Sequence, residues 1–391
     1  MELKPGYKQT EVGVIPEDWD VKPLSAFADV KTGPFGSSLH ERDYVSDGTP
    51  IITVEHLSEQ CVVHENIPLV SDIDRNRLSS YSLRAGDIVF SRVGSVDRNA
   101  LIRDSENGWL FSGRLLRVRV LRSDVYPPYL SFHFHSEHFK QRVRTVAVGQ
   151  TMASLNTQIL KGVYAILPNE NEQRVIATAL NDVDALLRGL DQLIAKKRDL
   201  KQAAMQQLLT GRTRLPGFSG EWELTRLGDV LSICHGKSQR NVEVADGPYP
   251  ILATGGKIGT SQRALYTKPS VLIGRKGTIN QPQYMEKPFW TVDTLFYSAV
   301  KDNNSAKFLY YRFCLIDWMQ FNEASGVPSL NARTIENIEI DCPQPIEQAA
   351  ISSVLTDMDA ELSALEKRRD KTRDLKQAMM HELLTGKIRL V

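Results

Sequence analysis

The stretch RDLKQAAMQQLLTG, residues 198–211, returns near the end of the chain as RDLKQAMMHELLTG, residues 373–386. The offset is 175, and it holds without a gap from Ser154 (against Ser329) to Leu215 (against Leu390). Ser154-Leu155-Asn156 recurs as Ser329-Leu330-Asn331, Pro168 as Pro343, and Glu172-Gln173 as Glu347-Gln348. Between Glu172 and Leu215, 23 of 44 positions are identical. That is far above chance, so an internal repeat organises the chain. Upstream the match fades. Trp19 and Trp222 each precede a leucine by five residues (Leu24, Leu227), but at an offset of 203. SRVGS at 91–95 and GRKGT at 274–278 correspond at an offset of 183. The chain is two units, each a divergent globular part followed by a near-copied helix.

The helices carry a seam. Ile176, Leu180, Val183, Leu187, Leu190 and Ile194 alternate in steps of four and three, as do Ile351, Leu355, Met358, Leu362 and Leu365. This is the a/d pattern of a coiled coil. PNENEQ and PQPIEQ put proline before each helix and acidic side chains in its first turn, where the dipole favours them. Gly211 and Gly386 stand where a left-handed cap is needed. Each helix is about 40 residues, hence roughly 60 Å long, and its apolar stripe must be buried; the cheapest partner is the other copy. Antiparallel pairing delivers the chain from Gly211 to the second globular part at the far end and returns Val391 to the first. Parallel pairing would make RTRLPGFSGEW and the whole second unit run back along the rod. The expected fold is therefore α+β: two globular heads joined by a pair of long antiparallel coiled-coil helices, a dumb-bell with a pseudo-twofold repeat. The expected divisions are a first head at 1–168, its helix at 169–211, a second head at 212–344 and its helix at 345–391. The alternative is that the helices only stabilise an unrelated homodimer.

At 391 residues the chain exceeds one ordinary core. With 41% hydrophobic and 24% charged residues it falls in the normal range for a soluble folded protein. The start, MELKPGYKQT, has no apolar signal core, and no run approaches the roughly 18 apolar residues of a membrane helix. Cys61, Cys234, Cys314 and Cys342 lack CxxC spacing, so neither a zinc knuckle nor a disulfide framework is expected, and a reducing cytoplasm fits. Net charge is only +1, but it is unevenly spread. Residues 92–144 hold 10 Lys/Arg against 5 Asp/Glu, and 237–287 hold 8 against 3, a local excess of +5 in each unit. Such segments are the footprint expected at a phosphate backbone; for either segment alone, a solvated face of mixed charge would serve as well.

Strand-like runs such as GDIVFSRV (86–93), LLRVRVL (115–121) and SVLIGR (270–275) alternate with Gly, Pro, Asn and Asp turns. Short amphipathic helices are expected over 127–143 and 305–321. The heads also hold glycine-flanked polar loops: KTGPFGSSL (31–39), SRVGSVDRN (91–99), ATGGKIGT (253–260) and GRKGTINQPQ (274–283). Glycine lets a backbone approach phosphate or base edges, and Arg, Lys, Asn and Gln supply groups used in major-groove readout. The candidate DNA-contacting residues are Lys31, Gly33, Gly36, Ser37, Arg92, Gly94, Arg98, Lys257, Arg275, Lys276, Asn280 and Gln281. Any one of these loops could equally be an ordinary hairpin turn.

Three motifs tempt and fail. YPPY (126–129) resembles the Asn-Pro-Pro-Tyr of adenine methyltransferases, but Tyr126 is poorly suited to accept hydrogen bonds from a target amine. No glycine-rich cofactor loop accompanies it, and proline opening a helix explains it better. HFHSEH puts His135 and His138 on one helical face and His133 elsewhere, which suits a surface or half-buried helix better than a metal site. GGKIGT (255–260) lacks P-loop spacing. No nucleophile–base pair or nuclease-like acidic cluster emerges, so no catalytic constellation and no metal site is assigned.

The combination of features resembles the specificity subunit of type I restriction–modification systems. IPEDWDVKPLSAFADVKTGPFGSSL and its weaker echo EWELTRLGDVLSICHGKS (221–238), the two Ser-Leu-Asn elements, the paired Glu-Gln helix starts and the two LLTG ends carry the likeness over essentially the whole chain. The resemblance implies a non-catalytic subunit whose heads are target-recognition domains, each reading half of a bipartite double-stranded DNA target. It implies that the helices form a spacer and hold two methyltransferase subunits, with motor–nuclease subunits completing the enzyme. S-adenosylmethionine, ATP and magnesium would bind those partners, not this chain. The second head departs from the pattern in having CHGKSQ where the first has GPFGSS. Two other readings compete: a coiled-coil scaffold with protein-binding heads, which leaves the basic segments unexplained, and a self-sufficient DNA methyltransferase, which needs a cofactor loop.

Overall fold

The computed structural model describes residues 5–34, 39–58, 61–148 and 153–390. The chain forms two compact units, 1–189 with 369–391, and 190–368. Each unit thus takes a head together with part of both long helices, so the contacts divide the chain differently from its linear order.

In the first unit, β1 (Ala28–Thr32), β2 (Ile88–Ser91), β3 (Asn99–Leu101) and β4 (Leu115–Val120) form an antiparallel sheet in the order β1-β4-β2-β3. The sheet is covered on both faces. Leu116 and Val118 of β4 join one apolar cluster with Phe90 of β2, while Leu115 joins another with Val89. This is the period-2 alternation of a strand. Arg117 on β4 is buried, and Arg119 is half-buried; they pair with Asp29 (2.6 Å) and with buried Asp87 (2.6 Å). A smaller four-stranded sheet includes Thr49–Ile52 running parallel to Leu110–Phe111. A ladder of Asp20–Pro23 against Tyr164–Leu167 ties the start of the head to its end.

The segment 127–143, expected as one amphipathic helix, is two: α1 (Pro127–His135) and α2 (Glu137–Val146). Ser136 breaks them by turning extended, its Oγ accepting the Phe139 N–H at 3.3 Å. Helix α1 is buried from Tyr129 to Phe134, as a helix apolar all round must be. His133 is therefore interior, and His135 and His138 lie on different helices rather than on one face. α3 (Thr157–Gly162) is capped by Asn156 and precedes the long α4 (Glu170–Leu208).

The second unit repeats this plan with different residues. β5 (Leu231–Cys234), β8 (Ser270–Gly274), β9 (Gln283–Met285) and β10 (Leu295–Val300) form a sheet ordered β5-β10-β8-β9. A hairpin of β6 (Tyr249–Ala253) and β7 (Gly256–Ser261) anchors the smaller sheet, where β6 runs parallel to Trp290–Thr291. Glu223–Arg226 pairs with Glu339–Cys342 as the closing ladder. The expected helix at 305–321 is α5 (Ala306–Leu315) followed by a 3-10 turn at Trp318–Phe321. α6 (Ala332–Glu336) leads to the long α7 (Pro345–Leu384).

Within each unit the long helices run antiparallel. In the first, Ile176 and Leu180 of α4 share a core with Leu383 and Leu384 of α7, and Lys376 pairs with Asp184 at 2.6 Å. In the second, Met205, Leu208 and Leu209 of α4 pack with Ile351 and Leu355 of α7, and Lys197 and Lys201 meet Glu361 and Asp359. The repeat relates Asp184 to Asp359 and Lys201 to Lys376, so the same ion pair sets the register in both units. Of the other seam positions, Leu190 is buried, and Val183, Leu187, Met358, Leu362 and Leu365 are half-buried.

The same repeat builds a clamp where head meets helix. Buried Glu172 accepts from the Trp19 indole at 3.1 Å and from Arg389 at 2.5 and 2.8 Å. Buried Glu347 accepts from the Trp222 indole at 3.2 Å and from Arg214 at 2.6 and 2.7 Å. Beside each glutamate a glutamine splices the chain. Gln173 bonds Pro168 O and the Tyr126 N–H, and Gln348 bonds Pro343 O and the Ser305 N–H. Gly211 and Gly386 both adopt φ +70°. A methyl group there would press on Trp222 at 3.3 Å, or on Pro16 at 2.5 Å and Trp19 at 3.1 Å.

Candidate nucleic-acid interface

Because β1 and β2 both run antiparallel to β4, one end of the first sheet gathers three segments: the loop leaving β1, the turn after β2 and the residues entering β4. They are laced together by the backbone. Arg92 N–H donates to Arg114 O (2.8 Å), and Gly33 N–H to Leu115 O (3.1 Å). Ser154-Leu155-Asn156 then pins the turn. Leu155 N–H bonds Arg92 O (2.8 Å), Gly94 N–H bonds Ala153 O (2.8 Å), and Asn156 caps α3. In the second head Arg275 N–H donates to Thr294 O (2.8 Å), Leu330 N–H to Arg275 O (2.9 Å) and Gly277 N–H to Pro328 O (2.9 Å), while Asn331 caps α6. Gly94 and Gly277 take φ values of +79° and +91°, the left-handed turn open to glycine. SRVGS and GRKGT are thus the same turn, and each Ser-Leu-Asn is its strut.

The departure at CHGKSQ is smaller than the sequences suggest. A Cβ on Gly33 would lie 2.1 Å from Ser112 O, and one on Gly236 would lie 1.9 Å from Val292 O. Both loops leave the sheet through a glycine that backbone crowding requires, and only their later residues diverge. The offset of 203 that aligns the tryptophans also aligns these glycines, whereas setting CHGKSQ against GPFGSS from their first letters puts Cys234 opposite Gly33.

The candidate residues fall into distinct classes. Lys31 is tied down: its ammonium bonds Ser80 O at 2.8 Å and sits 4.4 Å over the Tyr81 ring, and burial lowers its pKa. Arg92 is half-buried with Nη1 toward Gly113 O, and exposed Arg98 bonds Leu57 O. Gly36 and Ser37 lie outside the described residues. Lys276, Asn280 and Gln281 are exposed around the turn after β8; Arg275 beside them is half-buried. Lys257 is exposed on β7, and the hairpin turn preceding it packs on the same loop through Gln283, whose amide bonds Ala253 O and Thr254 O.

Charge separates the two heads. In 92–144 much of the positive excess is consumed internally: Arg117, Arg119, Arg122 and Arg144 all hold carboxylates. In 237–287, Lys237, Arg240, Lys257, Arg263, Lys268, Lys276 and Lys287 are exposed, and among the described residues none is in an ion pair. Sequence counting rated the two segments equal; only the tertiary pairing distinguishes them. Among the described residues no group of three His, Cys, Asp or Glu side chains is placed to hold a metal, and no helix is long and apolar enough to cross a membrane.

The family model for the type I restriction–modification DNA specificity domain matches residues 16–196 and again 219–372. This chain belongs to that family. The double match follows the repeat, one specificity domain per head. The MjaX specificity subunit of Methanocaldococcus jannaschii is 25% identical, over 98% of this chain and 97% of its own. The type I S subunit of M. genitalium has a similar fold, with a TM-score of 0.63 at 14% identity over 98% of both chains. A structure from work on complex assembly in the type I system gives 0.60 at 16% identity, covering 96% of this chain and 99% of that one. As a type I specificity subunit, the chain is a DNA-sequence recognition protein, and the loop-bearing end of the sheet in each head is its candidate reading surface.

Proposed function

We propose that each head reads one half of a split duplex target, and that the paired helices set the spacing and dock two methyltransferase subunits. One observation carries this reading. The same glycine-hinged platform, strutted by Ser-Leu-Asn, recurs in two heads whose loop residues differ. A shared frame with unlike loops is what two unlike half-sites need, since the frame positions and the loops specify. Subunit docking draws support from the part of α4 in the second unit, where Leu193 and Leu200 stand exposed at seven-residue spacing, an apolar face open to another helix. In this reading motor–nuclease subunits complete the enzyme, and S-adenosylmethionine, ATP and magnesium act on the partners. This chain does no chemistry itself, and the assembly works in the cytoplasm.

The test is to co-express the chain with its methyltransferase subunit and map adenine methylation across a random DNA library. A motif of two unlike blocks with a fixed spacer, methylated only when this chain is present, is the expected result. Four residues inserted into each long helix add roughly 6 Å and should change the spacer by about two base pairs, at about 3.4 Å each. Methylation independent of this chain refutes the reading, and an unchanged spacer refutes the ruler.

A further inference from the structure

The hairpin of the second head places an apolar side chain within its unpaired positive charge. Along β6 and β7, Ile251 faces Gly259 and Leu252 faces Lys257, so Ile258 is an extra residue with no partner. Such a bulge re-aims a side chain out of the strand's alternation, and bulges concentrate beside functional sites. Ile258 is 51% exposed, next to exposed Lys257. A lone exposed isoleucine is ordinary; what distinguishes this one is its surroundings. The hairpin turn lies on the loop after β8, since a methyl group on Gly274 would meet Thr254 Cγ2 at 3.1 Å. On another side of that loop Gly277 bonds Pro328 O, beside Val327, which is 66% exposed. Lys257 flanks Ile258 on the strand, Glu243, Val244 and Ala245 line the surface beside them, and among the described residues no carboxylate is in an ion pair with Lys257 or Lys276.

Unpaired cations call for an anionic partner, and an exposed β-branched side chain among them calls for an apolar group carried by that partner. Duplex DNA supplies both. Its phosphates line the groove, and a T·A pair presents the thymine 5-methyl group in the major groove, where apolar side chains read it. We propose that Ile258 packs on the 5-methyl group of a thymine in the half-site read by the second head, with Lys257 on an adjacent phosphate. The inference rests on the DNA-recognition reading above and adds a base to it.

The experiment uses the full chain in complex with its methyltransferase subunit, and duplexes of the mapped target. Each thymine is replaced in turn by deoxyuracil, which pairs identically and lacks only the methyl. One thymine, in one half-site, should on replacement weaken wild-type binding by about fourfold, the worth of one buried methyl group. Ile258→Ala should bind thymine and uracil equally at that position and keep wild-type sensitivity elsewhere. Since Ile258 is exposed, the variant should match the wild type in thermal unfolding. Lys257→Ala should weaken binding to the thymine and uracil duplexes alike. A wild type indifferent to every thymine, a target half without a T·A pair, or an unchanged thymine preference in Ile258→Ala overturns the proposal while leaving DNA recognition intact. Absence of any sequence-selective binding by the wild type overturns both.

Discussion

Glu172 is 4% exposed, yet it takes the Trp19 indole N–H and two guanidinium bonds from Arg389, which also holds Asp18 at 2.9 and 3.0 Å. The network ties the head, the first turn of α4 and the C-terminal tail together. Glu172→Ala leaves a buried indole donor without its acceptor and the guanidinium with Asp18 alone. Breaking a buried pair costs about 3–5 kcal/mol, and because Arg389 keeps 29% of its side chain in solvent, about 2–3 kcal/mol is expected here. Arg389→Ala strands the carboxylate with only the indole and should cost a similar amount. The double variant should cost less than the two singles together, with a coupling energy of about 1–2 kcal/mol. Urea denaturation of the full chain measures the stabilities. Hydrogen exchange at residues 165–185 and 380–390 would show protection lost at the clamp and retained at the matching clamp of Glu347 and Arg214. Single variants each costing under about 0.5 kcal/mol, the range of ordinary surface substitutions, or strictly additive losses, would refute the clamp.

Gly236→Ala puts a Cβ 1.9 Å from Val292 O; the loop must move, and the methylation motif should lose base preference in one block while keeping the other. Gly33→Ala should do the converse. Lys276→Ala should reduce the slope of log affinity against log salt by about one, whereas Arg122→Ala, whose guanidinium already holds Asp124, should leave it unchanged. Burial lowers the pKa of His133 to about 3 and that of His135 to about 4. The unfolded chain, with imidazoles near 6.5, binds more protons below that pH than the folded one does. Stability should therefore be lost progressively as pH falls from 6.5 toward 4. His133→Gln should flatten that profile in urea denaturation, and an unchanged slope would count against a buried neutral imidazole.

The long helices, their caps and their pairing direction were legible because they rest on local periodicity and on chain order. A seam repeating in steps of four and three and two glycines at equal offsets specify themselves without reference to distant residues. The mid-helix break at Ser136 was hidden because a serine between His135 and Glu137 fits a helix interior as well as an N-cap, and only burial of α1 on all sides decides between them. The repeated Glu-Gln was visible as a motif but not as a clamp, since its partners Trp19, Arg389, Trp222 and Arg214 arrive from far along the chain. The candidate DNA contacts divide in the same way. Lys31 and Lys276 are alike as letters, but a carbonyl and a tyrosine ring hold the first while solvent surrounds the second. Sequence alone determined two heads on a copied helix pair, because repeats and periodicity are properties of the chain's order. The tertiary structure decided which charges remain free to meet a phosphate, because pairing and desolvation depend on neighbours that folding brings together.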